Sequence, residues 1–177
     1  TLGGVIALDD QTILSASPEL FFTVHGREIS AKPMKGTAPR SKNPAEDAKI
    51  AAALQASIKD RAENVMIVDL LRNDLSRLSR VGSVKVPKLF EIESYPTLHQ
   101  MTSTVTAELH PNLSLRDIFA GLFPCGSVTG APKIRAMEII HELEPEARGA
   151  YCGSIGHISP NADMKFNVAI RTATWRG

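Results

Sequence analysis

A run of small, turn-forming and basic residues, numbers 124–136, is the segment of this chain best suited to hold an anion. Its small residues, which let another group approach the backbone closely, are Gly126, Ser127, Thr129 and Gly130. Pro132 suits the first turn of a helix, where its missing N–H costs nothing, and we predict that helix over 134–143. Lys133 and Arg135 add charge to a helix end that is already positive, which favours a bound carboxylate or phosphate. The alternative is an ordinary turn before a helix, with both basic side chains solvated.

Lys35 and Glu19 are candidates for a nucleophile and an acid. A lysine amine attacks only when neighbouring charge or desolvation lowers its pKa from about 10.4. An isolated loop lysine beside a glycine is more often a solvated charge. Glu19 precedes an apolar run, where partial burial would raise its pKa and suit it to general acid catalysis. An exposed glutamate at a turn is the other interpretation.

Asp60 and Glu63 are candidates for metal ligands because they lie three residues apart, on one face of a predicted helix. Two hard oxygen ligands completed by waters are typical of Mg²⁺. Acidic pairs at this spacing are also common as solvated surface charge. His99 is the one histidine with a candidate role, and a structural histidine in a strand is its alternative.

The elements that must position these residues come in blocks of strands and helices. In the first half we predict strands within 4–33, a loop over 34–43, and one helix or two joined helices from Pro44 to about Leu78. Asn43 is the predicted N-cap of this helix, with Glu46 placed to complete a capping box. In the second half we predict strands at 82–86 and 98–108, a helix at 115–122 capped by Ser114, the helix at 134–143, and strands at about 150–158 and 164–175. Strand pairs at both ends of the chain predict an α+β fold with largely antiparallel sheets flanked by helices.

Composition excludes several classes of protein. The chain is 43% hydrophobic and 22% charged, as in soluble globular domains, and its net charge of +1 indicates neither a nucleic acid nor a membrane surface as partner. No apolar run approaches membrane-spanning length, and no signal peptide is evident. Cys125 and Cys152 are too few for a disulfide framework and fit no zinc motif. We expect both to be small buried apolar residues in a cytoplasmic protein.

Taken together, these motifs resemble the chorismate-utilising enzymes, a family that includes the anthranilate, aminodeoxychorismate, isochorismate and salicylate synthases. The resemblance runs over nearly the whole chain. The segments that carry it are 15–21, 33–37, 60–74, 98–103, 124–133, 151–153 and 170–172. It implies large antiparallel sheets flanked by helices around a buried active site that binds chorismate and Mg²⁺. The Arg-Asn-Asp stretch at 72–74 is expected to tie its helix to the sheet.

The resemblance also implies roles for single residues. Pro-Met-Lys-Gly-Thr at 33–37 is similar to the aminodeoxychorismate synthase branch, in which the lysine matching Lys35 attacks the chorismate ring and the other branches usually have Ala. Glu19 would protonate the departing hydroxyl. Glu63 would be a direct Mg²⁺ ligand and Asp60 a second one. Arg171, assisted by Tyr151, would bind the enolpyruvyl carboxylate. The remaining substrate-binding residues implied are Thr37, His99, Ser127, Thr129 and Gly130.

The activity implied is amination of chorismate at C4, with ammonia supplied by a glutamine amidotransferase subunit, to give 4-amino-4-deoxychorismate for the synthesis of para-aminobenzoate and folate. Two alternatives stay open. The first is another synthase of the same family: anthranilate, isochorismate or salicylate synthase. The second is a non-catalytic ligand-binding remnant.

The chain departs from the family pattern at its ends, so we expect residues 1–177 to be a partial chorismate-binding domain. The family has a further N-terminal part and continues, after the last strand, with a Gly-Ala-Gly-Ile-Val segment and an acidic helix that supplies more Mg²⁺ ligands. Residues 163–167, Asp-Met-Lys-Phe-Asn, also differ from the commoner Met-Asp-Thr-x-Ile pattern. We expect this chain alone to have half a metal site and little or no turnover.

Overall fold

Strand β7 (Leu98–Glu108) organises the larger of two antiparallel sheets in the computed structural model, which describes residues 2–177. The other strands are β1 (Gly4–Ala7), β2 (Thr12–Ser15), β3 (Leu20–His25), β4 (Glu28–Lys32), β5 (Met34–Pro39), β6 (Lys85–Ser94), β8 (Gly156–Ile158), β9 (Met164–Asn167) and β10 (Thr172–Trp175). Seven strands form the larger sheet, in the order β5-β7-β4-β3-β9-β8 with β6 also paired to β7. Strands β1, β2 and β10 form the smaller sheet. Helices flank the larger sheet, so the predicted α+β fold with antiparallel sheets is confirmed.

Two strands lie end to end along one edge of β7. Ala31 of β4 is opposite Val105, and Met34 of β5 is opposite Thr102, so the pairing continues across Pro33 in one register. Strand β6 occupies the other edge of β7. The prediction of a loop over 34–43 was therefore wrong for residues 34–39, because pairing with β7 outweighs the local Gly and Pro signals.

The long helical region after Asn43 consists of two joined helices, as one of the predictions had it. Helix α1 (Pro44–Ala56) is capped by the Asn43 side chain, which accepts hydrogen bonds from the backbone N–H groups of Ala45 and Glu46. The predicted capping box is only half formed, because the Glu46 carboxylate accepts from the Ser41 hydroxyl. Helix α2 (Ile58–Ser76) follows at once, with Ser57 as its N-cap.

Helix α2 packs one apolar face against the larger sheet, and the main core lies between them. The helix contributes Ile67, Val68, Leu71 and Leu75, all buried. Ser103 of β7 donates a buried hydrogen bond of 2.6 Å to Asn64 of α2. Phe22 of β3 is 0% exposed and its ring lies 5.1–5.5 Å from those of Phe21, Phe119 and Phe166. These aromatic contacts join β3 to β9 and to helix α3 (Leu115–Leu122).

The second half of the chain follows the predicted order with shifted boundaries. The strand at 98–108 and the helix at 115–122 are confirmed, including the Ser114 cap, whose capping box with Asp117 is complete. The short strand predicted at 82–86 begins at Lys85 and runs to Ser94. The strand predicted at 164–175 is divided into β9 and β10, so three strands and not two end the chain. An irregular segment, in which Arg171 has a positive φ of 50°, separates β9 from β10.

Two further helices complete the fold. Helix α4 (Gly126–Thr129) is a single turn, and helix α5 runs from Lys133 to Leu143. The predicted helix at 134–143 is confirmed and begins one residue earlier. Pro132 has extended backbone angles and is the N-cap of α5, so it lies just before the first turn for which the sequence suited it. Within residues 2–177, none of the helices has the length and apolar character needed to cross a membrane.

The aromatic cluster around Phe22 should carry a large share of the stability. Replacing Phe22 with Ala removes a fully buried ring, and we expect it to lower the free energy of unfolding by about 3–5 kcal/mol. Val5→Ala, at a 68% exposed position, is the matched control and should change it by less than about 0.5 kcal/mol. Urea denaturation measures both, and equal effects of the two substitutions would contradict the assigned core.

Candidate active site

Glu19 is a buried carboxylate directly before β3. Its backbone is fixed by the adjoining segment of the sheet, since Glu19 O accepts from the Val168 N–H at 3.1 Å. The Ser17 hydroxyl braces the same turn by donating to Val168 O at 2.5 Å. Glu19 is 4% exposed, and its Oε1 has no hydrogen-bond partner among residues 2–177. An unpaired buried oxygen of this kind is costly unless it is protonated or meets a ligand.

Burial dominates the acidity of Glu19. Desolvation raises the pKa of its carboxyl to about 7, while the Ser127 hydroxyl and the Lys35 ammonium act in the opposite direction. A carboxyl with such a pKa is partly protonated near neutral pH and can donate a proton to a leaving group. The partial burial predicted for Glu19 is confirmed.

Lys35 of β5 points to the same region. Its Nζ donates a hydrogen bond to Ser127 O at 3.3 Å. The next residue, Gly36, has a φ of 90°, and a Cβ there would lie 2.9 Å from the Asp60 Cβ. A glycine at position 36 therefore permits both the backbone turn and the close approach of β5 to α2. The structure brings Glu19, Lys35 and Ser127 together from segments far apart in the chain.

The segment 123–132, hereafter the Ser127 loop, contains α4 and packs tightly on α2. A Cβ on the buried Gly126 would lie 2.4 Å from a methyl carbon of Leu70, so only a glycine fits there without movement. The Thr129 hydroxyl donates to Cys125 O at 3.0 Å. Both Cys125 and Cys152 are buried, as predicted. Burial, followed by the charge of Glu19, raises the pKa of the Cys125 thiol to about 11.

The basic residues after the Ser127 loop are paired within the chain. Lys133 Nζ lies 2.6 Å from Asp74 Oδ2, and Arg135 pairs with Glu138 and Glu142 on the exposed side of α5. The extra positive charge that the sequence suggested for binding an anion is therefore paired with carboxylates of the chain itself. Asp74 ties α2 to α5, whereas the expectation had been a tie between α2 and the sheet.

A cavity of about 680 Å³ opens beside the Ser127 loop. It is lined by two of the predicted substrate-binding residues, Thr129 and Tyr151, and by an arginine that the sequence analysis missed, Arg148. The Arg148 guanidinium donates to Val128 O at 3.1 Å and forms a two-point ion pair with Glu144 at 2.6–2.7 Å. The sequence signal that could have identified Arg148 is its position three residues before Tyr151, a predicted substrate contact. Gly130 ends α4 with a φ of 125°.

His99 lies in a different environment. It is 2% exposed, and both ring nitrogens are engaged: Nδ1 lies 2.8 Å from Ser94 Oγ and Nε2 lies 3.0 Å from Asp47 Oδ1. Arg40 holds the pKa of the Asp47 carboxyl well below its usual range, so Asp47 is an anion that His99 contacts. These bonds connect β7 to α1.

Thr37 and Arg171, two further predicted substrate contacts, lie away from the larger cavity. The Thr37 hydroxyl donates to Gln100 Oε1 at 2.8 Å. Arg171 lines a second cavity of about 450 Å³ together with Met34. Arg171 and Tyr151 line different cavities. The structure therefore does not bring together the two residues that were predicted to bind the enolpyruvyl carboxylate.

Asp60 and Glu63 lie on the first turns of α2, next to β5. Asp60 abuts Gly36, and the half-exposed Glu63 carboxylate lies 3.8 Å from Lys59 Nζ. Their oxygens suit Mg²⁺ in chemical type. Within the described part of the chain, no group of three or more His, Cys, Asp and Glu side chains could hold a metal ion. These two carboxylates can therefore provide only part of an octahedral shell.

Comparison with known proteins covers nearly all of the chain. A family model described as chorismate binding enzyme matches residues 3–177. Aminodeoxychorismate synthase component 1 of Escherichia coli is 52% identical over 169 residues, which are 96% of this chain and 37% of that protein. Aminodeoxychorismate synthase of Streptomyces griseus is 48% identical over 167 residues, 93% of this chain and 23% of that protein.

A solved structure agrees with the fold. Anthranilate synthase component I from Streptococcus pneumoniae superimposes with a TM-score of 0.88 at 38% sequence identity, covering 98% of this chain and 38% of that one. The chain thus spans less than two fifths of the length of these relatives. Because the family match extends from Gly3 to Gly177 and the fold agrees with a member's structure, this chain belongs to the family of chorismate binding enzymes.

Proposed function

We propose that the complete protein containing this chain converts chorismate to 4-amino-4-deoxychorismate, using ammonia. The observation that carries the proposal is that the Lys35 amine and the buried carboxyl of Glu19, whose pKa is raised by desolvation, both lie at the Ser127 loop. The sequence identity of 48–52% to aminodeoxychorismate synthases, over nearly the whole chain, supports assignment to that branch of the family. An acid next to a nucleophilic amine suits a reaction in which a hydroxyl leaves as an amine adds.

The two residues have complementary roles in this reaction. Lys35 attacks the ring as a neutral amine, so that a bond forms between Nζ and a ring carbon while the C4–O bond breaks. Glu19 gives its proton to the departing oxygen, which leaves as water. Ammonia then adds at C4 and displaces Lys35, which restores the free amine. Burial of Glu19 favours its protonated form before the reaction, because the charged form is poorly solvated.

Mg²⁺ would be held by Glu63 and Asp60, and when bound it would supply positive charge for the ring carboxylate of the substrate. Thr129 and Tyr151, at the larger cavity, are proposed to line the substrate site together with Gly130, Ser127 and Thr37. Arg171 and His99 remain predicted substrate contacts. A glutamine amidotransferase subunit is the proposed source of ammonia, and folate synthesis in the cytoplasm is the proposed setting.

The nature of the product tests the proposal. We expect the complete protein, given chorismate, Mg²⁺ and ammonia, to form aminodeoxychorismate, and Lys35→Ala to slow the reaction by about 10²-fold or more because the nucleophile is lost. Mass and fluorescence identify the product. Lys42→Ala, at an exposed position in the segment after β5, is the control and should leave the rate unchanged.

Other products would reject the proposed branch. Anthranilate would favour the relationship to the anthranilate synthases, one of which, from Haloarcula marismortui, is 42% identical to this chain. Isochorismate or salicylate would place the protein in another branch and leave Lys35 without a role in the reaction. No product from a folded protein that binds chorismate would favour the non-catalytic alternative.

The raised pKa of Glu19 predicts a pH dependence. Glu19 acts as an acid only while it is protonated, so kcat/KM should fall as the pH rises through about 7. Glu19→Gln cannot donate the proton, and we expect a much lower rate without this descending limb. Steady-state rates between pH 5.5 and pH 9 would check it, and a limb that persists in Glu19→Gln would belong to another group.

The proposed metal site predicts that a substitution of Glu63 changes the response of the protein to Mg²⁺. Glu63→Gln should raise the Mg²⁺ concentration for half-maximal activity by roughly tenfold or more, because a charged ligand becomes a neutral one. It should also reduce any rise in Tm on adding Mg²⁺. Asp69→Asn, at an exposed site further along α2, is the matched control. An unchanged Mg²⁺ response in Glu63→Gln would show that Glu63 is not a ligand of the metal.

A further inference from the structure

We propose that Lys133 and Asp74 are positioning residues, whose buried ion pair holds the Ser127 loop in place over Lys35 and Glu19. No role in the reaction is otherwise assigned to either residue. The kinetic part of this inference rests on the proposed function, and its structural part does not.

Lys133 joins three helices. Its Nζ donates to Asp74 Oδ2 of α2 at 2.6 Å and to Leu122 O, at the end of α3, at 2.8 Å. Leu122 and Lys133 directly flank the Ser127 loop, which is the segment 123–132. One ammonium therefore ties the two ends of the loop to each other and to α2.

The pair is shielded from water. The Asp74 side chain is 3% exposed and that of Lys133 is 14% exposed, and Arg77 donates a second charged hydrogen bond to Asp74 at 2.7 Å. Removal of Asp74 would leave the Lys133 ammonium as an uncompensated buried charge, whereas removal of Lys133 would leave Asp74 paired with Arg77 alone. The buried ion pair therefore fixes the loop in one geometry. The exposed ion pairs of Arg135, on the same helix, are screened by water and contribute little.

The loop determines the surroundings of both reactive groups. Ser127 O is the acceptor for Lys35 Nζ. The ring of Phe123, in the Ser127 loop, lies 6.5 Å from the ring of Phe21, two residues after Glu19, so the loop packs close to Glu19. A loop freed from Lys133 would admit water to Glu19 and release the Lys35 amine. Since burial is the largest influence on the pKa of Glu19, better solvation would lower it.

The kinetic test uses the complete protein with Lys133→Met, which keeps the length of the side chain but not its charge. We expect kcat to fall on the order of 10²-fold, as for misplaced catalytic groups, with a smaller change in KM. The descending limb of the pH profile should move to lower pH. Arg135→Met, two residues along α5, is the control and should change neither. Lys133→Arg keeps the charge and should recover part of the activity.

A second readout needs no turnover. Brief treatment with acetic anhydride, followed by mass spectrometry of peptides, reports how accessible the Lys35 amine is. Acetylation of Lys35, relative to that of the exposed Lys42, should be several-fold faster in Lys133→Met than in the wild type or in Arg135→Met. This result would stand even if the product of the enzyme proved to be anthranilate or isochorismate.

Asp74→Asn is the second variant, because it preserves shape and an oxygen acceptor while removing the negative charge. It should reproduce the effects of Lys133→Met in weaker form. A folded Lys133→Met protein with wild-type labelling of Lys35 and an unmoved pH limb would overturn the inference. Failure of both variants to fold, judged by circular dichroism, would also overturn it, since the pair would then support the whole fold and not one loop.

Discussion

The pairing of β7 on both of its edges is the constraint on which the rest of this structure depends. Strands β4 and β5 share one edge in a single register across Pro33, and β6 occupies the other. Because α2 packs across these strands, Asn64 and Ser103 meet in the core and Asp60 meets Gly36 at its margin. The position of Lys35 relative to the acidic end of α2 is therefore a consequence of backbone hydrogen bonding in the sheet.

The chemistry of the site depends on how little water reaches Glu19. The carboxyl of Glu19, directly before β3, has a raised pKa because it is buried, and neither Lys35 nor Ser127 contributes to that rise. The loop can pack so closely on α2 because Gly126 has no side chain to collide with Leu70. Sheet, helix and loop thus contribute different parts of one environment: the position of the amine, the acidic surface proposed to hold a metal, and the hydrogen-bond acceptor of the amine.

Much of the fold was accessible from the sequence because its signals are local. Asn43 and Ser114 cap helices through contacts with residues two or three positions away, and β7 has the alternation and β-branched residues of a strand. Segment 34–39 was mistaken for a loop because its partner, β7, is distant in the sequence: Pro39 pairs with Leu98 and Met34 with Thr102. The pairing of Lys133 was not evident for the same reason, since its partner Asp74 belongs to a different helix.

By itself, the sequence determined the family motifs, the helices with their caps, and the choice of Glu19, Lys35, Asp60 and Glu63 as reactive or ligating types of side chain. Only the tertiary structure decided which of them meet. It joined Glu19 and Lys35 at the Ser127 loop, enclosed His99 between Ser94 and Asp47, and separated Arg171 from Tyr151. The physical reason is that side-chain type is a local property, whereas burial, pairing and pKa depend on atoms that distant parts of the chain bring into contact.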